Sequence, residues 1–174
     1  MKVLILGVSG LIGHKLLQEL SVDHEVFGTL HKTKAQYNNL ALFAASTIIE
    51  GIDVLKFEKL IGVMKEIDPD VVLNCTGITK RKINQNNTLE VIETNAAFPH
   101  KLALWAKNNN KRVIHFSTDC VFNGKDGDYT EDSLTTAEDL YGRTKALGEI
   151  RYDHTLTIRS SFIGQELFDR TELL

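Results

Sequence analysis

Cysteine, proline and tryptophan are scarce in this sequence. Its 174 residues include two cysteines, two prolines and one tryptophan. Two thiols are too few for a disulfide framework or a cysteine-based metal site, so Cys75 and Cys120, which lie within or at the end of apolar runs, are predicted to be buried thiols in a reducing compartment. A chain of this length, with no internal repeat and no flexible linker, suits one domain of medium size.

A strong net charge and a long apolar run are also lacking. The 20 basic and 23 acidic residues give a net charge of −3, so no broad basic surface for nucleic acid or an anionic membrane is expected. No segment approaches the roughly 20 apolar residues that span a bilayer. The apolar stretch after Lys2 lasts only from Val3 to Leu6, and no cleavage site of a signal peptide follows it. The sequence therefore predicts a cytoplasmic protein without nucleic-acid or membrane partners.

Six short apolar runs alternate with helical patterns along the chain. Strands are predicted at 3–6, 25–30, 47–50, 71–75, 112–117 and 155–159, and helices at 11–20, 55–67, 89–108 (kinked by Pro99) and 140–151, with a weak helix around 35–44. Short, continuous apolar runs are typical of strands buried on both faces of a parallel sheet. The expected fold is α/β, a doubly wound parallel (Rossmann) sheet that binds its ligand at the carboxyl ends of the strands.

A glycine-rich turn separates the first predicted strand from the first helix. Its spacing is Gly-x-x-Gly-x-x-Gly, one residue longer than the usual dinucleotide fingerprint. Glycine permits a sharp turn and lets a phosphate approach backbone amides and the positive end of a helix dipole. Glycines after a strand are also common as simple turn formers, so the pattern alone leaves both interpretations open. The residues of this candidate phosphate-binding turn are Gly7, Ser9, Gly10, Leu11, Ile12 and Gly13.

The segment after the second predicted strand bears on the choice of cofactor. An acidic residue roughly 20 positions beyond the glycines favours NAD, because it binds the ribose hydroxyls. Here the segment that begins at Thr29 contains His31, Lys32 and Lys34 and no acid. Cationic side chains favour the phosphorylated ribose of NADP, although a solvated loop would have the same composition. We therefore expect NADP(H) in preference to NAD(H).

Tyr141 and Lys145 stand four residues apart, on one face of the last predicted helix. A phenol with its ordinary pKa of about 10 is a poor proton shuttle at neutral pH, and a neighbouring cation lowers that pKa. Such a pair can move a proton to or from a carbonyl oxygen while hydride is transferred, but it also occurs by chance in many helices. Ser117 and Thr118 could hold the same oxygen or serve as turn residues, and Asn95 could be a buried bracket or a surface amide.

These motifs together resemble the extended short-chain dehydrogenase/reductases. The most specific are the Ser-Thr-Asp-x-Val-Phe run at 117–122 and the Tyr-Gly-x-x-Lys-x-x-Gly-Glu run at 141–149, accompanied by the glycine turn and the segments 74–77 and 95–100. Within this family the chain is most similar to the dTDP-4-dehydrorhamnose reductases. The resemblance implies NADPH-dependent reduction of a nucleotide-linked 4-keto sugar, with a nucleotide sugar as the substrate partner.

The resemblance also implies roles for individual residues. Tyr141 would be the general acid, Lys145 would tune its pKa and bind the nicotinamide ribose, and Thr118, with Ser117 as the second choice, would orient the keto oxygen. Asp53 and Val54 would flank the adenine ring, and Asn95 would support the active site. The implied cofactor-binding residues are Gly7, Ser9, Gly10, Leu11, Ile12, Gly13, Thr29, His31, Lys32, Asp53, Val54, Cys75, Thr76, Gly77, Asn95, Tyr141 and Lys145. No metal ligands are implied.

Some features depart from the family pattern. Cys120 stands where enzymes of the rhamnose pathway usually carry tyrosine, and the loop before Tyr141 lacks a proline that is common there, so the sugar is not fixed. Relatives continue beyond Leu174 into a small helical substrate domain. We therefore expect 1–174 to be the NAD(P)-binding Rossmann domain without that substrate domain, able to bind cofactor without turnover. The sixth strand would be an open sheet edge that invites association, and a homodimer is one expected form.

Two other functions fit the same motifs. The regulatory subunit of methionine adenosyltransferase also resembles these reductases, and a partner protein of that kind would bind NADP without turnover. An epimerase or dehydratase would instead retain NAD, for which the basic segment after the second strand is not expected. The pair formed by Tyr141 and Lys145 favours an enzyme, because a pure binding module has no need of a tuned phenol.

Overall fold

Six parallel strands form one sheet in the computed structural model, which describes residues 1–37, 40–44 and 47–167. The strands are β1 (Lys2–Leu6), β2 (Glu25–Thr29), β3 (Ile48–Ile49), β4 (Val71–Asn74), β5 (Arg112–Phe116) and β6 (Thr155–Ile158). Their order across the sheet is β3-β2-β1-β4-β5-β6. The chain therefore winds outward from the neighbouring strands β1 and β4 in both directions, which is the doubly wound Rossmann order that the sequence predicts.

Helices cover both faces of the sheet. They are α1 (Leu11–Leu20), α2 (Phe57–Ile67), α3 (Thr88–Ile92), α4 (Phe98–Asn108) and α5 (Leu140–Leu147). Alternate residues of β1 enter two separate cores: Val3 and Ile5 pack with Leu17 of α1, whereas Leu4 and Leu6 pack with side chains of α2 and α4. Burial on both faces explains why this strand is an unbroken apolar run. Among the described residues, no helix is long and apolar enough to cross a membrane.

The longest predicted helix is not continuous. The segment predicted as one helix over 89–108 consists of α3, a π-helical turn (Glu93–Ala97) and α4. Pro99 lies in the first turn of α4 and has no N–H to offer the carbonyl of Asn95, four residues before it. The helix is therefore widened before the proline, and such π-turns are frequent at functional sites.

Other boundaries differ by a few residues from the predicted ones. The third strand has only two residues, and the last helix ends at Leu147 because Gly148 follows. The weak helix predicted around 35–44 is replaced by two 3₁₀ turns, Lys34–Tyr37 and Ala41–Phe43, while positions 38 and 39 lie outside the described residues. A polar connection without a sustained apolar face gives a helix little to bury, which accounts for the short turns.

Gly148 lets α5 pack directly on the π-turn. A Cβ at Gly148 would overlap the carbonyl oxygen of Asn95 and would lie 3.0 Å from its carbonyl carbon. No side chain other than hydrogen fits at this contact. The close approach holds α5 against the turn that contains Asn95.

Gly148→Ala is therefore expected to lower the free energy of unfolding by about 2 kcal/mol or more, because backbone must move to relieve the overlap. Gly62 is the matched control, since it is exposed in the middle of α2 and a Cβ there would meet nothing within 4 Å. Gly62→Ala should raise the free energy of unfolding by about 1 kcal/mol through helix propensity. Urea denaturation measures both, and equal effects of the two substitutions would contradict the packing argument.

Candidate functional site

A groove of about 630 Å³ opens at the carboxyl ends of the central strands. It lies where the order of the sheet reverses between β1 and β4, the usual position of a ligand crevice in such folds. Its lining includes most of the cofactor-binding residues predicted from the sequence: Gly7, Ser9, Gly10, Thr29, His31, Lys32, Asp53, Val54, Cys75, Thr76 and Gly77. The structure thus brings together residues from four separate loops.

The glycine turn forms one wall of this groove. Gly7 has a φ of +83°, a conformation that L side chains rarely adopt, and its N–H donates to Thr29 Oγ1 at 3.2 Å. Gly10 N–H donates to Gly7 O at 3.1 Å. A Cβ on Gly13 would overlap Gly7 O and lie 2.9 Å from Val8 Cα. The first glycine therefore makes the turn, and the third allows α1 to pack against it.

The start of α1 follows Gly10, which lines the groove, whereas Leu11, Ile12 and Gly13 are not among the lining residues. Gly10 is the N-cap and supplies no side-chain acceptor, and a Cβ there would meet only Gly7 O, at 3.5 Å. The N–H groups of Leu11, Ile12 and Gly13 lie in the first helical turn, where an α-helix has no acceptors of its own. Donors of this kind, together with the helix dipole, bind phosphate. The geometry fits a pyrophosphate.

The cationic residues after β2 divide into two groups. His31 and Lys32 line the groove. Lys34 does not, because its backbone N–H donates to Glu50 Oε2 at 2.7 Å and its Nζ lies 4.0 Å from Glu50 Oε1. Thr29 lines the groove but is buried and already accepts a hydrogen bond through its hydroxyl. Two of the three predicted cations are therefore placed to meet a ligand.

Asn95 forms hydrogen bonds to the loop after β4, which is the wall of the groove opposite the glycine turn. Its Oδ1 accepts the N–H of Ile78 at 2.8 Å, and its Nδ2 donates to the carbonyl of Ile78 at 2.9 Å. Nδ2 also lies 3.4 Å from Thr144 Oγ1 on α5. Asn95 is only 1% exposed and is not among the groove-lining residues. The sequence left open whether Asn95 is a buried supporting residue or a surface amide. The structure shows that it is buried and that its hydrogen bonds join the loop after β4 to α5.

Lys145 is the buried cation of the site. Its side chain is 4% exposed, and Nζ donates to the carbonyl of Phe116 at 2.7 Å. A Cβ on Gly77 would lie 3.9 Å from Nζ, which places the amine beside the groove wall. Burial lowers the pKa of Lys145 from 10.5 to about 8, against the opposing influence of Glu149 and Cys75. An amine that titrates near neutral pH can exchange a proton.

Tyr141 stands one helical turn before Lys145, on the same face of α5. It is half-buried, and it is not among the residues that line the groove. Asp139 caps this helix by accepting the N–H of Gly142 at 2.8 Å and forms an ion pair of 2.7 Å with Lys80. Lys80 follows β4, so this pair fixes the start of α5 relative to the groove wall.

The two hydroxyl candidates have different surroundings. Ser117 is buried and donates to Glu149 Oε1 at 2.9 Å, and Glu149 in turn accepts two hydrogen bonds of 2.7 Å from Arg159. Thr118 Oγ1 accepts the N–H of Cys120 at 3.1 Å and donates to Asp119 Oδ1 at 3.1 Å. The hydroxyl of Ser117 is thus held in an ion-paired network, whereas Thr118 caps a short turn at the carboxyl end of β5.

One of the two cysteine predictions is wrong. Cys120 is exposed, because the chain leaves β5 at Phe116 and places Cys120 in a 3₁₀ turn instead of a strand. Cys75, which follows β4, is half-buried, and burial raises the pKa of its thiol, so the thiol is neutral. Within 1–37, 40–44 and 47–167, no three His, Cys, Asp or Glu side chains cluster as metal ligands.

Several groove residues were not predicted from the sequence. They are Tyr37, Ile52, Leu55, Ile78, Lys82, Glu90 and Thr94. Ile52 and Leu55 flank the predicted pair at 53–54, and Ile78 directly follows the predicted segment 75–77, so proximity along the chain could have indicated them. Tyr37 and Glu90 arrive from a 3₁₀ turn and from α3, and no local pattern marks them.

Comparisons with known proteins agree with this geometry. A sequence model of the family described as "RmlD substrate binding domain" matches residues 1–163. A "probable low-salt glycan biosynthesis reductase Agl14" from Haloferax volcanii is 27% identical over 100% of this chain and 57% of its own length. A dTDP-4-dehydrorhamnose reductase from Burkholderia thailandensis is 27% identical over 94% of this chain and 50% of its own. The chain thus spans about half the length of the curated relatives it matches.

Two further likenesses bear on function. The crystal structure of a hypothetical dTDP-4-dehydrorhamnose reductase from Sulfolobus tokodaii has a TM-score of 0.80 and 27% identity, over 95% of this chain and 58% of that one. The methionine adenosyltransferase 2 subunit beta of Rattus norvegicus is 24% identical over 85% of this chain and 41% of its own length. The sequence is thus similar both to reductases and to a subunit of a different enzyme.

Lys145→Met is expected to stabilise the protein at pH 7. The folded-state pKa of about 8 lies below the ordinary 10.5, so the charged form is disfavoured in the fold, and a neutral side chain of similar length removes that cost. Allowing for the lost hydrogen bond to Phe116, the free energy of unfolding should rise by about 1 to 2 kcal/mol.

The dependence of stability on pH tests whether the pKa of Lys145 is lowered in the fold. Between pH 8 and 10.5 the unfolded chain retains the lysine proton that the folded protein releases, so the wild type gains stability as pH rises. The free energies of unfolding of Lys145→Met and wild type, measured by urea denaturation, should therefore differ less at about pH 10 than at pH 7.5. A difference that stays constant or widens would contradict the lowered pKa.

Proposed function

The chain belongs to the RmlD substrate binding domain family, and on that premise we propose that it is the dinucleotide-binding part of an NADPH-dependent reductase of nucleotide-linked 4-keto sugars. The observation that carries this proposal is the position of Lys145, whose buried amine lies beside Gly77 on the wall of the groove formed by the glycine turn. One end of the groove offers phosphate donors, and the other lies close to a proton-exchanging amine. The reductases named above support the reaction class.

The groove fits a dinucleotide on its own chemistry. The open backbone at Gly10 and the donors of the first turn of α1 suit the pyrophosphate. Asp53 and Val54 line the groove beyond β3 and would flank the adenine ring. Asp53 is held in place because its Oδ1 accepts the N–H of Leu55 at 3.0 Å. Cys75, Thr76 and Gly77 would line the central part, and bound NADPH would supply a hydride.

The protein's own residues would supply the proton. Tyr141 would donate its phenolic proton to the keto oxygen as the carbonyl carbon receives hydride, giving an alcohol and a phenolate. The ammonium of Lys145, one turn away on the same face of α5, stabilises that phenolate. Thr118 is the first candidate to orient the keto oxygen and Ser117 the second, because Ser117 donates to Glu149, which is ion-paired with Arg159, whereas Thr118 donates to its neighbour Asp119 at the longer distance of 3.1 Å.

A preference for NADPH is part of the proposal. His31 and Lys32 line the groove beyond β2, and the described residues of that segment include no acid that would bind an unphosphorylated ribose. Cations at this position suit a 2′-phosphate. Titration of the chain with NADPH and NADH tests the preference: tighter binding of NADPH supports it, and equal or weaker binding overturns it.

Gly10→Asp should abolish cofactor binding without unfolding the protein. Aspartate is a favourable N-cap residue, and Gly10 has ordinary φ and ψ angles of −80° and 167°, with only an ordinary contact of 3.5 Å between a Cβ and Gly7 O, so the free energy of unfolding should be unchanged or slightly higher. Its carboxylate would, however, occupy the anion site and repel the pyrophosphate. We expect at least a tenfold loss of NADPH affinity, measured by fluorescence titration.

Gly10→Ser is the matched control, because serine also caps the helix but carries no charge. It should retain much more affinity than Gly10→Asp. If Gly10→Asp binds NADPH as tightly as the wild type does, the phosphates do not lie at this helix, and the dinucleotide interpretation of the groove fails.

In the whole reductase of which this chain is proposed to be the dinucleotide-binding part, Tyr141→Phe should abolish turnover and leave cofactor binding intact. The phenyl ring keeps the packing on α5 but cannot donate a proton, so reduction of a 4-keto nucleotide sugar, followed by the loss of nicotinamide absorbance, should fall by at least a hundredfold. NADPH affinity should change by less than about threefold, because the ring still fills the same space. Undiminished turnover would show that another group is the acid.

A regulatory role is the second candidate, since a subunit of methionine adenosyltransferase is among the relatives. Such a protein would bind NADPH in the same groove and turn over none of the 4-keto nucleotide sugars. The pair formed by Tyr141 and Lys145 argues against it, because a pure binding module has no need of a phenol beside a buried cation. An epimerase-like protein would instead retain NAD through purification, which analysis of the released nucleotide would reveal.

A further inference from the structure

A chain of buried polar groups connects the loop after β4 with Lys145. Asn74 and His115 are register partners on β4 and β5, and both are 0% exposed. Asn74 Oδ1 accepts two hydrogen bonds from Thr76, from its N–H at 3.2 Å and its hydroxyl at 2.6 Å. Those two donors fix the orientation of the amide. The Nδ2 end of Asn74 therefore faces His115 Nδ1, at 3.1 Å.

This contact sets the tautomer of His115. An amide nitrogen only donates, so Nδ1 must accept, and a neutral imidazole with an accepting Nδ1 carries its proton on Nε2. Burial, with Lys145 and His100 nearby, holds the pKa of His115 well below its usual range, so the ring remains neutral. His115 Nε2 lies 3.4 Å from Lys145 Nζ. The ring thus presents an N–H to the lysine.

An ammonium group cannot accept that N–H, because all its nitrogen valences are donors, whereas a neutral amine has a lone pair to receive it. We propose that Asn74 and His115 are positioning residues for Lys145, which direct the Nε2–H of His115 at Nζ and so weaken the hold of Lys145 on its third proton. The other contact of Nζ, the hydrogen bond donated to the carbonyl of Phe116, is available to both forms of the amine. His115 therefore distinguishes the amine from the ammonium.

Other influences on Lys145 act in both directions. Burial is the largest cause of its lowered pKa, while Glu149, two residues beyond α5, and Cys75, after β4, favour the charged form. Glu149 is itself neutralised by Arg159 at 2.7 Å. Tyr141 lies one turn away on α5, and His100 acts on His115 from α4. Within this set, His115 is the group whose donor faces Nζ directly.

The consequence concerns the return of the proton, and it rests on the proposed role of Tyr141. When the phenol has given its proton to the substrate oxygen, a phenolate remains. An ammonium whose third proton is loosely held passes it to the phenolate, which leaves a neutral amine that accepts the Nε2–H of His115. Lys145 then regains its proton from bulk solvent, relayed through water in the groove, so that each reduction consumes one solvent proton. In this cycle His115 does not exchange its own proton.

The tautomer can be observed directly in the wild-type chain. Nitrogen-15 NMR of the histidine side chains distinguishes Nε2–H from Nδ1–H and both from imidazolium, and through-bond correlation to the backbone of His115 assigns its signals in the wild type. We expect a neutral ring protonated on Nε2 from pH 6 to pH 8. A proton on Nδ1, or an imidazolium in that range, overturns the proposal whether or not any variant folds.

Asn74→Asp tests most directly whether Asn74 controls the tautomer of His115. The aspartate keeps one oxygen for Thr76 and presents the other to His115, so the ring proton should move to Nδ1 and leave Nε2 as an acceptor of Lys145. The pKa of Lys145 should then rise from about 8 by more than about one pH unit. The side-chain carbon-13 signal of Lys145, assigned with Lys145→Met, measures this titration. A wild-type tautomer in folded Asn74→Asp contradicts the proposed control by Asn74.

His115→Phe separates the hydrogen bond from the added charge of aspartate. It keeps the site buried and removes the N–H, so the Lys145 midpoint should also rise, by about one pH unit. His154→Phe is the control, because that ring bonds to Ala103 O at 2.8 Å, away from Lys145, and should leave the midpoint unchanged. An unchanged midpoint in folded His115→Phe overturns the proposal.

These measurements need no cofactor and no substrate. Failure of the chain to bind NADPH would overturn the proposed function and leave the tautomer and the titration as they are. Conversely, normal NADPH binding with an Nδ1–H ring would retain the proposed function and refute the role of His115.

Discussion

The pairing of β1 with β4 is the constraint on which the groove depends. Both strands end at the same edge of the sheet, yet the chain leaves them toward opposite sides, so a crevice opens between their loops. The glycine turn after β1 and the segment 75–77 after β4 are brought together by that pairing. A Cβ on Gly7 would lie 3.1 Å from Thr76 Cγ2, which shows how closely the two loops approach.

The second constraint is the seating of α5 on the sheet. Two elements contact it: the π-turn, through the amide of Asn95 near Thr144 and the close packing of Gly148, and the turn after β4, through the ion pair between Lys80 and Asp139. The turn exists because Pro99 leaves the carbonyl of Asn95 without its usual donor. Asn95 and Pro99, which are four residues apart, therefore act together with the distant Gly148 to place Lys145 beside the groove wall at Gly77.

The fold could be predicted from the sequence because each strand is marked by its own apolar run and each helix by its own periodicity. The glycine turn and the Tyr141–Lys145 pair were also recognisable, since both are local patterns. What could not be predicted is set by contacts between distant segments. Nothing local indicates that Lys34 pairs with Glu50 while Lys32 remains at the groove, or that Cys120 is exposed because β5 ends at Phe116. The π-turn before Pro99 likewise requires knowledge of what packs on it.

Lys145 shows why stability and function oppose each other at this site. A buried ammonium with one hydrogen bond to a carbonyl is disfavoured in the fold, and the same desolvation that disfavours it brings its titration close to neutral pH. Greater exposure of the amine would relieve the energetic cost, but it would also return the pKa toward 10.5 and leave the proton too firmly held to reach a phenolate. The neutral, Nε2-protonated ring of His115 adds to the same bias without bringing a charge into the core. The cost at Lys145 is therefore inseparable from the proton transfer proposed for it.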